Sequence, residues 1–161
     1  MPPLSGASLV RIPTQGAGVS LFAGQDRDAL RAAWRTAWAR HLARLPLAPL
    51  QAQMTEVIAL HPEYHTQLVE TGGLGPEGRE DPEGAGRAFL HLGLHLALRE
   101  QLSTDRPKGI ALIHQRLSAR AFEAHGAEHR MMDVLERTLW DAQRAGRPPD
   151  EALYLEALRR L

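Results

Sequence analysis

The chain contains no cysteine, which excludes disulfides, thiolate metal sites and a cysteine nucleophile together. Lysine is almost missing as well: of 19 basic residues, 18 are arginine and Lys108 alone is lysine. Beside so many Ala, Leu, Gly and Pro residues, that skew reads as the codon usage of a GC-rich genome rather than arginine chosen for phosphate geometry. No charge of one sign is in excess, 19 acidic residues facing the 19 basic ones. A polycation that coats nucleic acid is thereby excluded, because such binding needs clustered, unbalanced Lys and Arg. No apolar run reaches the ~18 residues of a membrane span. Aromatic residues are scarce at 5%, and the three tryptophans among them, Trp34, Trp38 and Trp140, read as core.

Several catalytic motifs are also missing. The GGLGPEG stretch follows no strand and so is a linker rather than a phosphate-binding loop. Neither H-E-x-x-H nor an HD dipeptide occurs, and no serine sits in a nucleophile elbow. Arg27, Arg31 and Arg35 line one side of a helix and read as a solvated face.

What remains is a 161-residue chain of one-domain length. Residues 1–20 carry one positive charge, Arg11, and no continuous apolar segment. They are expected to be a flexible tail with no secretory signal, which places the protein in the cytoplasm. Residues 21–161 are expected to form a single helical-bundle domain. From Asp26 the periodicity is helical, with Leu30, Trp34, Ala37, Trp38, His41 and Leu42 on one stripe. Pro49 opens a second helix with the stripe Leu50, Met54, Val57, Ile58 and His61, and Pro62 ends it and starts a short new one. Thr71–Gly86 is a Gly- and Pro-rich loop. A third helix, about Arg87 to Leu102, is apolar nearly all round and belongs in the middle of a bundle. Ser103, Thr104 and Asp105 offer caps to a fourth helix carrying Ile110, Ile113, His114, Leu117 and Phe122. Gly126 marks a bend before a fifth, which stops at Gly146, Pro148 and Pro149, and Asp150 caps a last short helix. The fold class expected is all-α, a bundle of five or six helices around a four-helix core.

Chemistry concentrates in the eight histidines. His61/His65, His91/His95 and His125/His129 are each spaced i, i+4, three such pairs where a random scatter gives well under one. On a helix that spacing sets two imidazoles on one face, where both can reach a common ion. Imidazole ligates iron, zinc, copper or nickel without help from cysteine. His91 and His95 share a stripe with Leu98 and Leu102, and His125 and His129 share one with Met132 and Glu136, so both pairs are expected to face the core. Histidines there must be hydrogen bonded or ligated, since a buried polar group left unsatisfied costs about 1–3 kcal/mol. Glu128 and Glu136 are candidate oxygen ligands, and Glu63 lies between His61 and His65. Glu136 stands about 10 Å along the helix from His129, which limits how readily they share an ion.

Four segments carry a resemblance: Leu21–Trp38 (LFAGQDRDALRAAWRTAW), His61–His65 (HPEYH), Phe89–Leu102 (FLHLGLHLALREQL) and Ala127–Asp150 (AEHRMMDVLERTLWDAQRAGRPPD). In these the chain resembles the domain-of-unknown-function 1841 family, a bacterial family of short proteins that lends no reaction. In its H-x-x-x-H usage it is more distantly similar to hemerythrin-like metal bundles, whose full ligand pattern it does not reproduce.

The expectation is therefore one or two transition-metal ions, iron or zinc, held by His61, His65, His91, His95, His125 and His129 with Glu128 or Glu136. Two ions point to chemistry on oxygen, peroxide or nitric oxide; a single three-histidine site leaves a position open for water, and hydrolysis or transfer follows. The alternative is a non-catalytic adaptor with a buried histidine network. A third reading is haem held non-covalently by an axial histidine, as no C-x-x-C-H occurs. Partners are left open, a homodimer among them.

Overall fold

The computed structural model describes residues 24–69, 82–121 and 124–161. The expected N-terminal tail, most of the Gly-rich loop and Phe122 lie outside the described residues. Among the described residues the chain is all-helical, with no strand. Seven α-helices appear: α1 (Gly24–Leu42), α2 (Pro49–Ala59), α3 (His65–Val69), α4 (Pro82–Thr104), α5 (Ile110–Ala121), α6 (Ala124–Ala145) and α7 (Glu151–Arg159). A single 3₁₀ turn, Pro62–Tyr64, precedes α3. The count among the described residues exceeds the expected five or six. The described residues group into two compact units that divide between Leu98 and Arg99.

In the unit ending at Leu98, α1 packs against α2 and α3. Trp34, Ala37 and Trp38 recur at steps of three and one, so α1 turns one narrow face inward. They meet Met54, Val57 and Ile58 of α2, Leu68 of α3 and Phe89 and Leu92 of α4 in one buried cluster. The stripe expected on α1 is shorter than the sequence suggests. Leu30 and Leu42 at its ends are 38% and 58% exposed, and His41 lies outside the core. The guanidinium of Arg40 turns back to the Pro46 carbonyl oxygen, accepted at 2.6 Å from Nη2, and so fastens the turn into α2.

In the unit starting at Arg99, α5 packs on α6, and α7 on both. Ile110, Ile113 and Leu117 of α5, Ala127, Met131, Met132 and Leu135 of α6, and Tyr154 and Leu158 of α7 are all buried. The Tyr154 hydroxyl donates to Gln101 Oε1 at 2.9 Å. Burial raises its pKa well above the ordinary phenol value, so it remains a donor. Trp140 corrects the sequence reading: it is 59% exposed on α6, not core. Gly126 does not bend the chain, since α6 runs through it.

Helix ends follow local chemistry. Helix α4 spans Pro82–Thr104, so residues 82–86, expected in the loop, are helical. Asp105 is the one of three candidate residues that caps α5, accepting from the Gly109 and Ala111 amides at 3.0 and 3.2 Å. Ser103 and Thr104 stay in α4 and bond back to the Glu100 carbonyl. The Lys108 ammonium, 2.8 Å away, and the Ala111 amide hold the Asp105 carboxyl below the usual carboxylate range. The stabilisation this gives is present at neutral pH and fades as pH falls through the lowered value. Helix α6 ends where Gly146 adopts φ 60°, letting the amides of Gly146 and Arg147 reach the Gln143 and Ala142 carbonyls.

Asp150 accepts from the Ala152 and Leu153 amides, both at 3.0 Å, at the start of α7. Asp150→Ala is expected to lower stability by about 1 kcal/mol and Asp150→Asn by only a few tenths. Denaturant unfolding of the full chain checks this; equal losses for the two variants would deny the capping role.

Candidate metal centre

The HPEYH segment places two imidazoles at the C-terminal end of α2. His61, held at φ −126° and ψ 67°, leaves the helix because the Pro62 ring excludes helical dihedrals before it. Its Nδ1 lies 2.8 Å from the Val57 carbonyl oxygen, and His65 Nε2 lies 3.0 Å from the Ile58 carbonyl oxygen. Carbonyl oxygens only accept, so both nitrogens carry protons and donate. These are carbonyls of the last helical turn, where a helix is short of donors.

Helix α4 supplies His91 and His95 one turn apart. His95 is 0% and His61 1% exposed, while His91 is half-buried. The His61 ring is 4.7 Å from His91 and 4.6 Å from His95, and the His91 and His95 rings are 5.1 Å apart, all edge to face. His91 Nε2 approaches His61 Nε2 at 2.9 Å. In α6, the His125 and His129 rings lie 4.2 Å apart. Within the unit ending at Leu98 the rings of His61, His91 and His95 thus form one cluster that could offer imidazole nitrogens to an ion, and within the unit starting at Arg99 those of His125 and His129 form a pair.

His65 is engaged at Ile58 and its ring lies 4.5 Å from Trp38, whose other neighbour is His41 at 5.0 Å. Glu128 is buried and takes both prongs of the Arg99 guanidinium, Nε to Oε2 at 3.1 Å and Nη2 to Oε1 at 3.3 Å. Arg99 thereby finds the ion-pair partner its place on an apolar helix demands. Glu136 is exposed on α6, and Glu63 is exposed in the 3₁₀ turn. His114 is half-buried, 3.3 Å from the Ser118 hydroxyl. Sequence reasoning missed Tyr64, whose ring stacks on His61 at 5.7 Å and meets His91 edge to face at 5.6 Å. Its position three residues after His61 was the available signal. Burial, with Glu63 beside it, raises the Tyr64 phenol further, so the ring stays neutral among the imidazoles.

With that geometry in view, comparison with known proteins gives a family. A family model described as Domain of unknown function (DUF1841) matches residues 26–160. The chain belongs to this family. No curated protein and no solved structure matches it. The expected similarity is therefore shown over nearly the whole chain, and the chemistry has to be argued from the side chains.

Arg99→Met and Glu128→Gln are each expected to lower stability by about 1–3 kcal/mol, and the double variant by less than their sum. A double-mutant cycle in denaturant measures the coupling; strict additivity would deny that the pair acts as a unit.

Proposed function

We propose that the protein binds a transition-metal ion through the imidazoles of His61, His91 and His95. The observation that carries this is the gathering of these three rings, with centroids 4.6–5.1 Å apart, two of them on residues that are essentially removed from water. An imidazole in such a place needs its polar atoms matched, and an ion can match several at once. The donor set is nitrogen only. Neutral nitrogen donors suit zinc, and iron next, where the carboxylate-rich supply of two-ion bundles is not gathered. Glu128 acts as the partner of Arg99 on this reading. Three imidazole ligands leave a fourth position open for water, the route by which such a centre becomes catalytic. The cytoplasm is the setting this reading assumes.

The contact of His61 with His91 also favours a second reading, a non-catalytic protein whose histidines form a hydrogen-bonded core network. Metal content separates the two. Under the first reading purified protein holds about one equivalent of zinc or iron, or takes it up on soaking. Zinc(II) at 100 times its dissociation constant then raises unfolding stability by about 2.7 kcal/mol. Binding weakens as pH falls into the acid range, where protons compete for the imidazole nitrogens. His95→Ala is expected to weaken zinc binding more than about 100-fold, beyond the loss seen for outer-sphere partners. Elemental analysis and titration followed by thermal melting check these outcomes. Folded protein that neither retains nor acquires metal would leave the network reading standing.

A further inference from the structure

Arg31 and Arg35 stand one turn apart on α1, where the sequence suggests a solvated face. Both are instead half-buried. The guanidinium carbon of Arg31 is 5.6 Å, and that of Arg35 5.4 Å, from the centroid of one ring, that of Phe89 on α4. Phe89 is buried in the same cluster as Trp34, so the platform that the two cations share is fixed by the core. Arg31 Nη2 also comes down beside Gly86, 3.8 Å from where a Cβ would stand. Like charges one turn apart on a helix repel, and a phenyl ring offers each only a modest attraction. Among the described residues the opposing charge is Asp28, 3.9 Å from Arg31 Nη1 with its side chain 82% exposed, a weak surface pair. Arg35 Nε is buried and has no acceptor among the described residues. A guanidinium that has lost part of its hydration in this way attracts an anion more strongly than one in open water.

We propose that Arg31 and Arg35 form a binding site for a phosphate monoester, seated over Phe89 between α1 and α4. The terminal Nη nitrogens of each guanidinium form a planar fork that fits two oxygens of one phosphate. Residues one turn apart have Cβ atoms about 5–6 Å from each other, a separation that a single tetrahedral anion can bridge. A phosphate monoester carries close to two negative charges at neutral pH and three free oxygens, against one charge and two oxygens for a carboxylate. It therefore answers both cations together. Because the guanidiniums already rest on the ring, little side-chain ordering is left for the ligand to impose. Codon usage accounts for how many arginines the chain has, but not for two of them converging on one aromatic ring.

The test titrates the full-length chain with glycerol 3-phosphate, and with acetate for comparison, at constant ionic strength, read by calorimetry and by arginine side-chain ¹⁵N spectra. Saturable binding is expected, with the Arg31 and Arg35 signals moving together along one curve, and acetate binding more than about tenfold more weakly. Arg31→Gln and Arg35→Gln should each weaken the ester about tenfold or more, the worth of one charge-assisted hydrogen bond. Arg35→Lys keeps the charge and most of the packing but loses the fork, so it should also bind more weakly than wild type. Arg116→Gln, at an exposed position of α5, should change nothing. Vesicles containing phosphatidic acid present the same phosphate on a lipid: capture of the ester in solution identifies a soluble ligand, and capture of vesicles alone identifies a headgroup at the same two arginines. A wild-type response that never saturates would overturn the site, and this reading does not depend on any variant folding. Equal binding by folded Gln variants, or acetate bound as tightly as the ester, would overturn it too.

Discussion

An imidazole removed from water must have each ring nitrogen matched, and the candidate centre follows from how His61 meets that demand. The Val57 carbonyl claims Nδ1 and so fixes the tautomer. Everything chemical about the ring is then concentrated at Nε2, which faces His91 at 2.9 Å. A different tautomer would put a proton where a ligand lone pair is required. A backbone carbonyl, not a second charged side chain, therefore decides whether this histidine can serve an ion, a common arrangement among metal-ligating histidines.

Much of this was legible in the sequence, and the parts that were not share a cause. The i, i+4 spacing identified His91 with His95 and His125 with His129 as pairs whose rings meet, because helical periodicity fixes which residues share a face. Pro49, Asp150 and Gly146 marked helix boundaries through fixed backbone preferences. Periodicity tells what a helix can turn inward, not whether a neighbour covers it. Leu30 and Trp140 fit their stripes and still lie exposed. Likewise, Glu128 and Glu136 were equivalent as oxygen donors on paper. Only tertiary placement shows that one is buried against Arg99 and the other faces solvent.

His65 shows how one spacing can serve two purposes. It sits four residues after His61, but with Pro62 between them the pair does not share a helix. Both rings instead return to α2 and satisfy consecutive carbonyls at its end. A basic ring at a helix C-terminus is favourable in its own right, so the segment contributes to the fold irrespective of any ion. Stability and ligand placement thus draw on the same few residues here.

The proline after His61 dictates where that imidazole stands. With an ordinary residue in its place, nothing would bar α2 from winding on, and each further helical position would swing the ring by about 100° about the axis. Ligand geometry in this fold is accordingly heritable through main-chain stiffness, and a lineage could forfeit the centre while keeping all eight histidines.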